Sequence, residues 1–79
     1  MKLSNFQVVR VEGETPLDKK LHAAVDVTSG SLWWKRTVNR PIVRKYGEFF
    51  RFADTGEMTP GTQAEELQRR YSAVTGFEF

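Results

Sequence analysis

Leu21, Ala23, Val25 and Val27 alternate with His22, Ala24, Asp26 and Thr28. Successive side chains of a strand point to opposite faces, so this run buries its Leu/Val side and leaves the other side polar. A chain built around such a strand needs partner strands beside it and a cover over one face. The neighbouring segments supply both. Phe6, Val8, Val9 and Val11 lie in a β-branched run from Ser4 to Glu12, which reads as a first strand. Its facing stays open, because both alternating sets contain apolar residues. Gly13-Glu14-Thr15-Pro16 breaks that run, and Leu17 to Lys20 leads into the alternating strand.

Thr28-Ser29-Gly30-Ser31 reads as a hairpin turn, with a third strand starting at Leu32. Leu32, Trp34, Arg36 and Val38 form the more apolar face, which predicts Trp34 inward and Trp33 outward. Asn39-Arg40-Pro41 predicts a bulge or a change to an edge, since proline has no N–H to donate. Ile42 to Lys45 resumes the strand. Tyr46-Gly47-Glu48 turns the chain into a fourth strand, Phe49 to Ala53, with Phe50 and Phe52 on one side.

A helix closes the chain. Thr62 and Glu65 have the spacing of a capping box, and Thr59-Pro60 is a competing start. Ala64, Leu67, Tyr71 and Val74 recur at helical spacing. Glu65 with Arg69 and Glu66 with Arg70 stand four apart in the favourable order. Gly76 is a left-handed stop beside which Phe77 can pack on Tyr71. The expected fold is therefore α+β: a small antiparallel sheet of about four strands with one C-terminal helix on one face, in the order β-β-β-β-α. Seventy-nine residues allow one domain, spanning 1–79. Ten aromatic residues exceed what one helix–sheet contact needs, so some are expected at the surface or between chains. A homodimer is favoured over a monomer on that ground.

Several functions are excluded by what the chain lacks. Without cysteine there is no disulfide, thiolate metal site or cysteine nucleophile, and one histidine rules out a histidine-rich metal site. No apolar run is long enough to span a membrane, and the first residues do not read as a signal peptide. A cytoplasmic protein without cofactor or metal is expected. His22 reads as a solvent-facing strand residue, sharing its face with Asp26. Asp54-Thr55-Gly56 matches the turn that carries the carboxylate of an aspartic protease, but it is also an ordinary turn sequence. The 23 residues after Gly56 are mostly helix by this reading, with no room for a substrate-covering hairpin. Asp54 is therefore taken as a turn residue, and no catalytic residue is assigned. Asp54 and Glu57 are too few for a calcium site.

Charge is unevenly spread. Residues 1–30 are neutral, residues 31–51 carry six cations against Glu48, and residues 52–79 carry two arginines against five acids. Such asymmetry suits either a partner surface or internal compensation. The basic centre is also aromatic: Trp33, Lys35, Arg40, Arg44, Lys45, Tyr46, Phe49 and Arg51 form the candidate interaction surface. Cations along a backbone and rings under bases are what hold single-stranded nucleic acid. The same residue types stabilise exposed sheet faces and protein contacts.

Leu32-Trp33-Trp34-Lys35, followed by Phe50-Arg51-Phe52-Ala53-Asp54-Thr55-Gly56-Glu57 and Thr59-Pro60-Gly61, resembles short uncharacterised proteins of bacterial phages and prophages. The likeness covers roughly residues 25–71 and rests on short motifs. It implies a phage or bacterial origin and an accessory or assembly role, and brings no activity or site residues with it. The function expected is non-enzymatic contact with a partner protein or with a second copy, through the aromatic and basic surface. The alternative is a nucleic-acid-binding accessory protein using the same residues.

Overall fold

The structure is a computed structural model that describes residues 1–31 and 33–79. Three eleven-residue strands, β1 (Lys2–Glu12), β2 (Lys20–Gly30) and β3 (Lys35–Lys45), are followed by a short β4 (Arg51–Phe52) and the helix α1 (Gln63–Thr75). The sheet is antiparallel, in the order β1-β2-β3-β4. This is the α+β arrangement that the alternation and the helical stripe require. A 3₁₀ turn, Pro16–Asp18, links β1 to β2.

The β2 alternation sets the core. Leu21, Ala23, Val25 and Val27 are buried together with Leu3, Phe6, Ile42, Phe50, Phe52 and Ala64. The open facing of β1 is resolved by two register shifts, between Ser4 and Gln7 and between Val8 and Arg10. Asn5 takes a left-handed φ of 53° in the first, a conformation asparagine tolerates better than most residues. This lets Leu3 and Phe6, three apart, both face the core, while Val9 is left exposed.

Several expectations are corrected. The start of the third strand at Leu32 lies outside the described residues, and β3 begins only at Lys35. Trp34 does not face inward; it is 68% exposed. Eleven strand residues extend roughly 36 Å, whereas the thirteen of α1 extend about 20 Å and lie against β1. Gln63, the first residue of α1, bonds Leu3 and Met1, so at the hairpin end the helix covers the β1 side and leaves the β3 side bare, with Val38 exposed as well. At Asn39-Arg40-Pro41 there is no bulge, for β2 and β3 pair without a break from Lys20↔Lys45 to Gly30↔Lys35, but the expected change to an edge is there, since pairing with β4 reaches no further than Pro41. The Pro41 carbonyl accepts from the Ala53 N–H at 3.0 Å. A strand residue's N–H and C=O positions point the same way, so the proline nitrogen faces the outer edge and misses no bond to β2.

The fourth strand is shorter than Phe49–Ala53. The Phe50 N–H donates to Glu65 Oε1 at 2.7 Å, and the Phe50 carbonyl accepts from the Thr59 hydroxyl at 3.3 Å. These bonds tie the main chain at Phe50 toward the helix instead of the sheet. They also undo the capping box, because Glu65 is occupied and Thr62 donates its hydroxyl to Glu66 at 3.2 Å. Glu65 and Glu66 do not pair with Arg69 and Arg70; the ion pairs among the described residues are His22–Glu12 and Arg40–Asp54.

At the far end the stop is as expected. Gly76 has φ 76° and donates its N–H to the Ser72 carbonyl at 2.8 Å. Phe77 packs edge-on against Tyr71, which meets Phe6 in turn. Val74, however, is 86% exposed, and the buried helix residues are Ala64 and Gln68. At about 100° per residue, Gln68 and Tyr71 straddle the direction of Ala64, while Val74 falls about 80° away. Gln68 can be buried because its Oε1 accepts from Arg44 Nη1 at 2.6 Å.

Candidate functional site

The eight aromatic and basic residues singled out from the sequence do not form one surface. Pairing of Val25 with Arg40 and of Leu21 with Arg44 puts both arginines on the helix side of β3. There they are engaged. Arg40 lies 3.8 Å above the Phe52 ring and grips Asp54 with two bonds, Nη2 to Oδ1 at 2.8 Å and Nε to Oδ2 at 3.3 Å. Arg44 donates to Gln68 and to the Glu48 carbonyl, and its guanidinium lies 5.8 Å from the Phe50 ring centre. Both hold the edge of the core together.

Lys45, Phe49 and Arg51 meet on the other face, where with Val43 and Glu48 they line a cavity of about 50 Å³. That is room for little more than water. Tyr46 is exposed in the turn beside them. Trp33 and Lys35 are at the opposite end of β3, roughly 30 Å away at a strand's rise per residue. Trp33 and Phe49 thus cannot serve one continuous stack of bases.

What lies together at the hairpin end is a different set. Trp33 is 93% exposed beside the exposed Trp34, directly before Lys35 and Arg36. Met1, Lys2 and Lys35 line a shallow concavity there with Thr28, Ser29 and Gly30. Gly30 has φ 131°, and a Cβ on it would come within 2.4 Å of the Trp34 carbonyl oxygen. The tip is therefore shaped by the glycine and carried on the paired strands. Strand alternation from Leu32 places Trp34 and Arg36 on the inner face and so leaves them out of the candidate surface, and Lys2 precedes the Ser4 start read for the first strand. Consecutive tryptophans next to a Ser-Gly-Ser turn were the available sign of a loop.

The other polar residues are tied pairwise. His22 Nε2 lies 3.0 Å from Glu12 Oε2, not against Asp26, and this bond lowers the Glu12 carboxyl below its ordinary value. Asp26 accepts from Asn39 and Asn5, which lowers it likewise. Among the described residues no three His, Asp or Glu side chains converge on a metal position. No helix is long and apolar enough to cross a membrane.

Asp54 does more than turn the chain. The Arg40 hydrogen bonds hold its carboxyl below the ordinary aspartate value. A lowered folded-state value means that the bond stabilises the fold above the ordinary carboxylate range and is lost as pH falls through it. Asp54→Asn is accordingly expected to lower the melting temperature slightly at neutral pH and to flatten its decline in acid. Thermal melts between neutral pH and pH about 2.5 test this; parallel profiles for the two proteins would show that the tether adds nothing.

No protein-family model matches the chain, and neither the curated proteins nor the solved structures give a match.

Proposed function

We propose that the chain is a non-enzymatic interaction or assembly domain that meets a partner protein, or another copy of itself, through the β2–β3 hairpin end. The observation that carries this reading is the pair of exposed tryptophans, Trp33 and Trp34, directly before the paired ladder of β3, the strand away from the β1 that α1 covers. Tryptophan is rare as a bare surface residue and common at the centre of protein contacts, where its burial releases the most water. An accessory role of phage or prophage type, as the Trp33-Trp34 stretch suggests, agrees with a contact function.

A second reading has an observation in its favour. Lys35 and Arg36 follow the two rings directly, and rings beside free cations suit a single strand of nucleic acid. Against it, Arg40, Arg44 and Phe49 are not available to extend such a track.

The two readings differ in salt dependence, since counterion release makes nucleic-acid binding fall steeply with salt. Fluorescence anisotropy with labelled single- and double-stranded oligonucleotides at two salt concentrations is the test. Negligible binding at about 0.15 M salt is expected. Sedimentation equilibrium and affinity capture with Trp33→Ala and Trp34→Ala should show weaker self-association or partner recovery than wild type. Submicromolar oligonucleotide binding at that salt, lost on Trp33→Ala, would replace the protein-contact reading by the nucleic-acid one.

A further inference from the structure

The two edges of the sheet are treated differently. On β1 the outer edge is interrupted by both register shifts, and Gln63 closes one end of it. Gln63 Oε1 accepts the Leu3 N–H at 2.9 Å, and Gln63 Nε2 donates to the Met1 carbonyl at 3.3 Å. Bulges and covering side chains are the usual means of keeping an edge from pairing with another chain.

The outer edge of β3 has no such protection before Pro41. β4 pairs only with Ile42 and Val43, and the Ala53–Pro41 bond is the last on that side. The Pro41 carbonyl points outward, and outward-pointing residues recur every second position, so the main-chain groups of Lys35, Thr37 and Asn39 point outward too. Among the described residues nothing pairs with them. The stretch runs without a bulge, and its side chains are held in place: Thr37 Oγ1 lies 3.0 Å from Thr28 Oγ1, and Asn39 Nδ2 donates to Asp26 at 3.1 Å. It is an ordered strand edge, lacking a neighbour, that starts beside Trp33 and Trp34.

Its charge decides what can occupy it. β3 carries Lys35, Arg36, Arg40, Arg44 and Lys45 and no acidic residue. Two copies paired along this edge would bring together two strands that each carry Lys35 and Arg36 and offer no acidic residue to either, and unbalanced like charge opposes pairing. An extended segment bearing two consecutive acidic residues meets Lys35 on one face and Arg36 on the other.

Building on the contact reading above, we propose that the outer edge of β3 from Lys35 to Arg40 receives an acidic, extended segment of a partner protein as an added strand. Main-chain bonds to Thr37 and Asn39 supply the pairing, Lys35 and Arg36 select for acid, and Trp33 and Trp34 grip the end of the segment. Strand addition of this kind takes affinity from the backbone and specificity from the alternate side chains.

The test is a titration of the isotope-labelled protein with a synthetic peptide of Val and Thr residues carrying consecutive Glu-Glu pairs, followed by amide resonances and hydrogen exchange. A peptide with Lys in place of Glu, and a single-stranded oligonucleotide, are the comparisons. The acidic peptide should slow exchange of the Thr37 and Asn39 amides and shift residues 35–40. The double change Lys35→Glu with Arg36→Glu should weaken acidic-peptide binding about tenfold or more and favour the Lys peptide. Thr37→Pro should stay folded, as Pro41 does on the same edge, and should lose the peptide. If Thr37→Pro does not fold, the charge-reversal arm decides alone. No protection at Thr37 and Asn39 up to the peptide's solubility limit overturns the proposal, as does equal binding of the Lys peptide. Protection that rises with protein concentration alone would place a second copy there and also overturn it. These failures leave the contact reading standing if Trp33→Ala still weakens capture; tight oligonucleotide binding removes both.

Discussion

Phe50→Ala is expected to cost about 3–5 kcal/mol of stability, the largest loss from any single truncation in this chain. Phe50 is fully buried and is the largest of the fully buried side chains. Its ring meets Phe6 edge-on at 5.9 Å between centres, and the Arg44 guanidinium lies against it. Truncation loses the transfer free energy of the ring and leaves a cavity that the surroundings cannot close. Collapse is resisted because the Phe50 main chain is held by Glu65 and Thr59 and the opposing wall is a paired sheet. A loss of this size approaches the whole net stability of a small domain, about 5–15 kcal/mol. Urea melts measure it. The midpoint should fall steeply with little change in slope, whereas Phe49→Ala, one residue away and exposed, should stay within about 0.5 kcal/mol. A Phe50→Ala protein as stable as wild type would mean that the segment before β4 does not seal the core.

Gly30→Ala should bring the second-largest effect and should reach the proposed contact as well. At φ 131° an L side chain is strained, which costs about 1–3 kcal/mol. The added Cβ would also press on the Trp34 carbonyl oxygen at 2.4 Å, a backbone atom that cannot step aside alone. Either Gly30 leaves its pairing with Lys35 or the segment holding Trp33 and Trp34 moves. Two measurements are needed, a denaturant midpoint and the tryptophan emission spectrum. The midpoint should drop, and emission should change if the tip is reshaped. Gly47→Ala is the matched comparison: its φ is 76°, but a Cβ there meets nothing within 4 Å, so only the backbone strain remains. Equal midpoints for the two variants would show that the contact with Trp34 contributes nothing.

The candidate surface was only partly legible. Trp33 and Lys35 lie at the hairpin end as free groups, whereas Arg40 and Arg44 are consumed by Asp54, Gln68 and the Phe50 and Phe52 rings. A one-dimensional run of cations carries no sign of which will find a carboxylate fourteen residues later, as Arg40 finds Asp54. The unprotected β3 edge was hidden for a related reason. Strand residues reveal their faces by periodicity, but which main-chain edge faces solvent depends on where β4 stops pairing.

Period-two alternation in residues 21–28 and helical spacing after Thr62 were enough to determine a strand with one buried face and a C-terminal helix to cover it, because burial of one face is a local, repeating demand on side-chain type. Gly76 determined the helix stop in the same local way, through a φ that few other residues adopt. Tertiary structure alone decided where that pattern ends. It drew Glu65 from a cap to the Phe50 main chain, turned Val74 outward and Gln68 inward, and absorbed Pro41 without a bulge by placing its nitrogen on the outer edge. It also left Trp34 bare, because α1 lies against β1 and Trp34 precedes Lys35, the first paired residue of β3. Each of these outcomes depends on the relative lengths and positions of elements far apart in the chain, and local spacing carries no record of them.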